Sequence, residues 1–393
     1  MRRREFLAVS AAASAALLSP AAESKKKVRV GVIGHTKRGD YGHGLDVMWL
    51  KLPETEVVGV ADADPAGLTA AKTKLKIDTG FADYKAMLKE TKPQVVAVCP
   101  RHVDQHHDMI LAAIDAGAEG VYCEKPFCRT PAEADAILAA ADKKKVKIAV
   151  AHRNPYHPAM AAVLKLIADG AVGKVLELRG RGKEDARGGS LDLWVLGSHV
   201  VNIANVLGGK PTACSASVMQ KGKPVVKTDV KDGAEGVGPL AGDEVHARFD
   251  MEKGFPFYFD SVVNPDAKGA GFGLQVIGSK GVIDLRTDRE PLAHLIEGNP
   301  FTPTKDPRAW VPITSAGVGK PEPVATMASD LAAHVIAGRD LLTAMTENRS
   351  PVCDGVAAAT TVEMICAVFE SHRQGGQRVP FPLKTRVNPL TQL

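Results

Sequence analysis

The stretch VRVGVIG, residues 28–34, is a β-branched apolar run that closes on glycine. Such a run is typical of a strand that is buried in a parallel sheet. A second run, EVVGVADAD at residues 56–64, ends in acidic residues and is followed by a helix-like stretch that starts at Pro65. Strand and helix patterns then alternate as far as VKIAVAH, residues 146–152. This alternation predicts an α/β domain with a doubly wound parallel sheet.

Beyond Arg153 the pattern changes to more strands and fewer helices. The runs KVLELRGRG, DEVHARFDM, FPFYFDSVV and FGLQVIGSKGVIDLR predict an α+β domain with a large, mostly antiparallel sheet. Residues 221–244 combine glycine, proline and charge with little periodicity, and we interpret them as a long loop. Two helix-like runs, 328–345 and 355–374, are expected to brace the two domains.

The composition is ordinary for a globular protein of two domains: 393 residues, 45% hydrophobic and 24% charged. The net charge of +5 comes partly from the N-terminal MRRREF and SKKKVR, and no basic element interleaved with aromatic residues indicates nucleic-acid binding. The arginines followed by an apolar run of small residues resemble a twin-arginine export signal, which implies a periplasmic protein without a stable membrane anchor. The six cysteines form no C-x-x-C pair, which favours buried thiols.

A glycine-rich loop, GVIGHTKRGDYGHG, includes the end of the first strand and contains Gly31, Gly34 and Gly39. A dinucleotide pyrophosphate binds at a strand-to-helix turn with the pattern G-x-G-x-x-G. Here Gly34 and Gly39 take the outer positions, and Thr36 replaces the middle glycine. Asp62 ends the second strand, where a carboxylate accepts hydrogen bonds from ribose and repels a 2′-phosphate. The pattern therefore predicts NAD as the cofactor, with NADP disfavoured.

The stretch VYCEKPFC, residues 121–128, delivers Glu124, Lys125 and Pro126 at the end of a predicted strand. Together with VVAVCPRHVDQHH before it and IAVAHRNPYHP after it, this stretch resembles the Gfo/Idh/MocA oxidoreductases, the family of glucose-fructose oxidoreductase and inositol dehydrogenase. The resemblance covers nearly the whole chain after the export signal. It implies that Lys125 is catalytic and that Glu124 pairs with it or contacts the nicotinamide ribose. The carboxyl end of a parallel strand opens onto the ligand crevice, where burial would lower the pKa of the lysine.

The second motif of the family has an aspartate four residues before a histidine. In GGSLDLWVLGSHVVN, His199 matches the histidine, but Val195 stands at the aspartate position. The resemblance implies that His199 is the acid/base residue, and Asp192 is the candidate replacement for the missing acid. A packed, structural role for His199 remains the alternative.

Further site residues follow from the same resemblance. Pro100 and Arg101 match the strand-end loop that passes the adenine and pyrophosphate side of the cofactor. Arg153, Asn154 and Tyr156 lie where the family lines the substrate pocket.

Three histidines, His102, His106 and His107, lie close together in the sequence. His102 and His106 have the i, i+4 spacing that two metal ligands on one helix face require. No further ligand group joins them at a fixed spacing, and the family uses no metal here, so no metal site is expected.

These patterns predict an NAD-dependent oxidoreductase that transfers hydride between nicotinamide and a sugar or sugar derivative. An exported enzyme has no free NAD pool, so its cofactor should be tightly held and its redox state restored at every turnover. An NAD-dependent glycosidase that uses transient C3 oxidation and elimination is the enzymatic alternative. A non-catalytic sugar-binding protein is the other alternative. The family often associates through the open sheet face, which implies a homo-oligomer.

The predicted organisation has four parts: an export signal at residues 1–24, a dinucleotide-binding Rossmann domain at 25–152, a substrate and oligomerisation domain at 153–335, and C-terminal helices and tail at 336–393.

Overall fold

The computed structural model describes residues 26–264, 266 and 271–393. The predicted export signal lies outside the described residues. Within them, the larger hydrophobic core runs continuously from the first sheet to the second, and it includes Val121, Phe257 and Phe369. The two sheets are therefore packed into one molecule with a shared apolar interior.

Six parallel strands form the first sheet: β1 (Val28–Ile33), β2 (Thr55–Ala61), β3 (Gly80–Phe81), β4 (Val95–Val98), β5 (Gly120–Cys123) and β6 (Lys147–Val150). Their order is β3-β2-β1-β4-β5-β6, so that β1 has β2 on one side and β4 on the other. The predicted doubly wound sheet is confirmed. The carboxyl ends of these strands meet at one edge, which brings the glycine-rich loop, Asp62 and Lys125 to one crevice.

Four α-helices connect these strands: α1 (Pro65–Leu75), α2 (Tyr84–Thr91), α3 (His106–Asp115) and α4 (Pro131–Lys144). Between β1 and β2, a fully described part of the chain, no α-helix forms. Residues 41–47 make turns, and a 3-10 helix covers Met48–Lys51. The strand-to-helix turn that the glycine pattern predicts is therefore a strand-to-loop turn in this chain.

The remaining described strands are β7 (Val175–Arg181), β8 (Pro211–Gln220), β9 (Lys223–Pro224), β10 (Lys231–Gly233), β11 (Gly238–Leu240), β12 (Glu244–Met251), β13 (Pro256–Val262), β14 (Gly273–Gly278), β15 (Gly281–Arg286), β16 (Ala293–Glu297), β17 (Val311–Thr314), β18 (Gly317–Val318) and β19 (Val379–Pro380). Eleven of them form the second sheet in the order β18-β17-β16-β15-β14-β7-β13-β12-β8-β19, with β9 paired to β8. Its pairs are antiparallel except for β7 and β13, which confirms the predicted sheet. Within the described residues, β10 and β11 pair only with each other. Residues 221–244, predicted as a loop, therefore contain a two-stranded ribbon.

The other helices are α5 (Ala159–Ala168), α6 (Ser190–Asp192), α7 (Ser198–Gly208), α8 (Met327–Ala332), α9 (Val335–Glu347) and α10 (Gly355–Arg373). A π-helical turn, Leu193–Gly197, joins α6 to α7. The combined stretch 190–208 is long and apolar enough to span a membrane, but 72% of its apolar window is buried inside the protein, as in a core helix. α9 packs against β5 and β6, whereas α10 packs against α4, α7 and β8. The C-terminal helices thus contact both sheets.

Candidate active site

Lys125 follows β5 at its carboxyl end and is buried, with 7% of its surface exposed. Its Nζ donates a hydrogen bond of 2.7 Å to the backbone oxygen of Val195, in the second half of the molecule. Burial lowers the pKa of the Lys125 ammonium, and the charge of Glu124 opposes that effect. The structure therefore places the predicted catalytic lysine in a desolvated contact between the two halves.

Val195 lies within the π-helical turn, and its side chain is 1% exposed. Single π-helical turns are frequent at functional sites, because they displace the backbone locally. At the position where the family has an aspartate, this chain thus contributes a backbone carbonyl to Lys125 and an apolar side chain to the core. The lysine keeps a hydrogen-bond acceptor here although the carboxylate is missing.

His199 lies in the first turn of α7, and its ring packs edge-on against the ring of His152, with a centroid distance of 5.4 Å. The Nδ1 atoms of both rings are buried and have no hydrogen-bond partner among the described residues. Burial, then the charge of Lys125, lowers the pKa of His152 to about 3 and that of His199 well below its ordinary value. Both imidazoles are therefore neutral at neutral pH.

His152 was missed by the sequence analysis. It lies two residues beyond the end of β6, a strand parallel to and paired with β5, and this strand-end position is the signal that could have identified it.

Asp192 is not paired with His199. Its Oδ2 accepts hydrogen bonds from Ser261 Oγ (2.7 Å) and from the backbone N–H of Glu184 (3.0 Å). Burial raises the pKa of the Asp192 carboxyl. In this structure, Asp192 connects α6 to β13, and its role as a replacement for the missing family aspartate stays a prediction.

Glu124 is fully buried, and each carboxylate oxygen has a partner. Oε2 accepts a hydrogen bond of 2.7 Å from the backbone N–H of Lys125, and Oε1 contacts Nδ1 of His43 in the glycine-rich loop. Burial alone would raise the pKa of Glu124, but the hydrogen bond to His43 and the charge of Lys125 outweigh it and lower the pKa to about 2. Glu124 is therefore ionised and links the strand end to the loop.

Basic side chains of the glycine-rich loop pair with acids that follow three different strands of the first sheet. The pairs are Lys37 with Asp64 (2.6 Å), Arg38 with Asp104, and His43 with Glu124. These contacts hold the loop across the carboxyl ends of β2, β4 and β5. The sequence analysis did not identify this set, because the partners lie 27 to 81 residues apart.

Asp62 is buried at the end of β2 and holds the same loop. Its carboxylate accepts hydrogen bonds from Thr36 Oγ1 (2.7 Å), the backbone N–H of Thr36 (3.1 Å) and Tyr41 Oη (2.9 Å). Gly39 has φ +90°, and a Cβ there would collide with the backbone of Arg101. Thr36 and Gly39 are thus required for the shape of the loop, and a hydrogen bond from a ribose hydroxyl to Asp62 remains a prediction.

A cavity of about 860 Å³, open to solvent, lies beside this loop and is lined by Gly34, Asp62, Tyr84 and Gln105 among others. It opens at the carboxyl ends of β1, β2 and β4, where doubly wound sheets bind dinucleotides. The residues fit NAD: the cavity would take the adenosine half, and the crevice leads from there to Glu124 and Lys125. Gly31, by contrast, lies inside β1, where a Cβ would press on Pro93.

Pro100 is joined to the segment that carries Lys125 through His106. The two ring nitrogens of His106 lie 2.6 Å from the backbone oxygen of Pro100 and 2.7 Å from that of Pro126. His106 is therefore occupied by backbone groups on both sides. Among the described residues, no group of three or more His, Cys, Asp or Glu could hold a metal ion.

The predicted substrate residues divide into two sets. Arg153 forms an ion pair of 3.1 Å with Asp288, and with Asn154 it lines a second cavity. The Nδ2 atom of Asn154 is buried and has no partner among the described residues. Tyr156 is buried, and its hydroxyl accepts a hydrogen bond of 3.2 Å from the backbone N–H of Cys353. Tyr156 thus supports the loop before α10.

The family model GFO_IDH_MocA, an oxidoreductase family with an NAD-binding Rossmann fold, matches residues 28–152. A curated relative, levoglucosan dehydrogenase of Pseudarthrobacter phenanthrenivorans, is 25% identical over 263 residues, which are 61% of this chain and 66% of that protein. D-apiose dehydrogenase of Paraburkholderia graminis is 28% identical over 192 residues, which are 46% of this chain and 51% of that protein. The chain thus spans about half to two thirds of the length of these relatives.

Solved structures show the same fold. Levoglucosan dehydrogenase in complex with NADH and levoglucosan has a TM-score of 0.71 at 20% identity, and the match covers 91% of this chain and all of that chain. The WlbA dehydrogenase from Bordetella pertussis, in complex with NADH and UDP-GlcNAcA, has a TM-score of 0.64 at 16% identity over 91% of this chain and all of that chain. Residues 28–152 therefore match the NAD-binding Rossmann domain that the Gfo/Idh/MocA family model describes, and the solved structures share the fold of the whole described chain.

Proposed function

We propose that this protein is an NAD-dependent oxidoreductase that transfers hydride between nicotinamide and a hydroxyl-bearing carbon of a sugar or sugar derivative. The observation that carries the proposal is the buried ammonium of Lys125 at the strand end, close enough to His152 and His199 to lower the pKa of both. The sugar dehydrogenases named among the relatives support the substrate class.

Bound nicotinamide would supply the hydride chemistry, and the residues of this chain orient the substrate and move its proton. Lys125 Nζ donates one hydrogen bond to the Val195 oxygen. Its other hydrogens can bind the substrate oxygen, where the ammonium stabilises developing negative charge. His199 is largely buried, with part of its surface exposed, and it is neutral, so that it can accept the hydroxyl proton as the hydride leaves. In the reverse direction the same imidazole, once protonated, returns the proton to the carbonyl oxygen.

A second candidate is an NAD-dependent glycosidase that oxidises C3 of a glycoside transiently. Oxidation at C3 acidifies the proton at C2; its removal expels the substituent at C1, water then adds, and the hydride returns to C3. This sequence needs one more base than simple hydride transfer. The packing of His152 on His199 supports it, because a second imidazole then lies beside the first.

We also propose that the cofactor stays bound between turnovers in a periplasmic protein. Two features support this: the sequence of residues 1–24 resembles a twin-arginine signal, and three ion pairs together with Asp62 fasten the loop at the cofactor crevice. A homo-oligomer formed through the open face of the second sheet is the accompanying proposal. Fractionation of cells and sedimentation of the purified protein test these two points.

The function is tested on protein purified after export. The protein is denatured to identify any released dinucleotide, and intact protein is then followed at the absorbance band of reduced nicotinamide while sugars and glycosides are added. Reduced cofactor formed in proportion to oxidised sugar supports the dehydrogenase. Product formed without net reduced cofactor supports the redox-neutral candidate. A protein that cannot be loaded with NAD or NADP leaves only the sugar-binding alternative.

A further inference from the structure

The second cavity lies where the loop after β6 meets the turn between β15 and β16. Its volume is about 440 Å³ including the space at its mouth, many times the roughly 30 Å³ that one water molecule occupies in the liquid. Its polar lining consists of Arg153, Asn154 and residues 287–290. Leu292, before β16, and Leu331, in α8, are buried and form part of its apolar lining. The cavity is therefore amphipathic.

Two buried polar side chains of this cavity have no hydrogen-bond partner. Asn154 is 1% exposed and Thr287 is 3% exposed. Neither Nδ2 of Asn154 nor Oγ1 of Thr287 forms a hydrogen bond with any residue that the structure describes. Buried polar groups in folded proteins are nearly always hydrogen-bonded. A molecule bound in the cavity would supply the partners that these two groups lack.

The charged groups of the lining are paired or exposed. Arg153 is paired with Asp288 at 3.1 Å. Nε2 of His157 lies 3.1 Å from Oε2 of Glu290, and Arg289 is exposed. The groups that need a partner in the buried part are therefore neutral: an amide that donates, and a hydroxyl that donates or accepts. Sugar hydroxyls suit both groups, and the C–H face of a sugar ring suits the apolar lining.

The cavity begins close to the candidate reaction centre. The rings of His152 and His199 have a centroid distance of 5.4 Å. Asn154 follows His152 by only two residues, and consecutive Cα atoms are about 3.8 Å apart, so the Cα atoms of these two residues are separated by at most about 7.6 Å. A group attached to a sugar that reacts beside His199 is therefore within reach of the cavity.

We propose that the second cavity binds the part of the substrate that does not react, a second sugar unit in a disaccharide, through hydrogen bonds of its hydroxyls with Asn154 Nδ2 and Thr287 Oγ1. The inference rests on the proposed function and deepens it, because it makes disaccharides rather than free monosaccharides the preferred substrates. Asn154 follows β6 of the first sheet and Thr287 follows β15 of the second. The binding site is thus assembled only where the two sheets meet.

The test measures binding of D-glucose, maltose and cellobiose to the NAD-loaded protein by calorimetry, with turnover measured separately. Wild type should bind at least one of the two disaccharides about tenfold more tightly than D-glucose, because the second unit adds hydrogen bonds and apolar contacts. Thr287→Val and Asn154→Ala should each weaken binding of that disaccharide about tenfold, and binding of D-glucose by less. Affinity for NAD should not change.

Two controls separate a binding role from a structural one. Thr302→Val removes the same hydroxyl at an exposed position outside the cavity, and it should bind the disaccharide as wild type does. Thr287→Val should not lower the melting temperature, because its side-chain hydroxyl has no hydrogen bond among the described residues to lose. A structural role for the hydroxyl would lower it.

Equal wild-type affinity for D-glucose and both disaccharides would overturn the inference, and turnover of D-glucose would then leave the proposed function standing. Unchanged disaccharide affinity in Thr287→Val and Asn154→Ala would overturn it too, since the cavity would then hold only water. The same holds for an equal loss in Thr302→Val, or for a wild type that binds none of the three sugars. Disaccharide binding that depends on Asn154 and Thr287 without any turnover would sink the proposed enzymatic function and support the binding site.

Discussion

The two sides of the candidate reaction centre are built differently. On the strand side, Glu124 and Lys125 come directly from the carboxyl end of β5 and match the family motif residue by residue. On the helix side, His199 is present, but Val195 replaces the aspartate, and a π-helical turn directs the Val195 oxygen to Lys125. The strand side is therefore specified by local sequence, whereas the helix side depends on how the backbone of a distant segment packs.

This difference shows that a backbone carbonyl can accept the hydrogen bond of the lysine at a position where the family has an aspartate side chain. An aspartate beside Lys125 would add a buried negative charge, whereas a carbonyl accepts the same hydrogen bond without one. Burial lowers the pKa of Lys125, and a nearby negative charge would raise it again. With a carbonyl in place of a carboxylate, this second effect is smaller. The helix side of this chain thus favours loss of the lysine proton more than a carboxylate there would.

The largest effect is expected on the strand side. Lys125→Ala should reduce turnover about 10³-fold, since loss of a donor that stabilises developing negative charge costs roughly 10² to 10³ in kcat. The affinity for NAD, measured by calorimetry, should stay close to that of wild type. Lys165→Ala is the control, because Lys165 is exposed and pairs with Asp169. Turnover of Lys125→Ala within tenfold of wild type would show that the strand side is not catalytic.

On the helix side, His199→Asn should lower kcat by about 10²-fold, the lower end of the range for a proton-transfer group. Asp192→Asn should lower kcat far less, because its contacts are with Ser261 and Glu184 rather than with His199. Measurement of kcat against pH for both variants separates the two residues. If Asp192→Asn alters the pH profile as His199→Asn does, Asp192 acts through the histidine after all.

The glycine-rich loop connects the strand side to the cofactor crevice, and Asp62 is its main anchor. Asp62→Ala leaves the Tyr41 hydroxyl and the Thr36 donors without their acceptor, which should cost about 1 to 3 kcal/mol of unfolding free energy. Urea unfolding measures this loss. Asp169→Ala, at an exposed ion pair with Lys165, should cost less. Equal losses would mean that Asp62 does not hold the loop.

The smallest expected effect concerns the pH dependence of stability. The pKa of His152 is lowered from 6.5 to about 3 in the folded protein. Between these values the unfolded chain binds a proton that the native protein does not, so His152 makes stability fall as the pH drops below about 6.5. His152→Asn should make this decline shallower, as measured by urea unfolding at pH 7 and pH 5. An unchanged decline would mean that His152 takes up its proton in the folded state.

The sequence by itself determined the elements whose signal is local. The structure confirms the alternation of strands and helices, the position of Glu124-Lys125-Pro126 at a strand end, and the antiparallel second sheet. These features could be predicted because the periodicity of apolar residues and the residue types at strand ends are visible in short stretches of sequence. The sequence also identified His199 as a candidate, and the structure places it beside His152.

Only the tertiary structure decided the contacts between distant segments. The Val195 carbonyl on Lys125 spans 70 residues of sequence, and the pairing of His43 with Glu124 spans 81. The replacement of the expected helix after β1 by turns has no periodic signal either. These features arise from backbone groups and charges that meet only after the two sheets have packed together, so local residue patterns do not encode them.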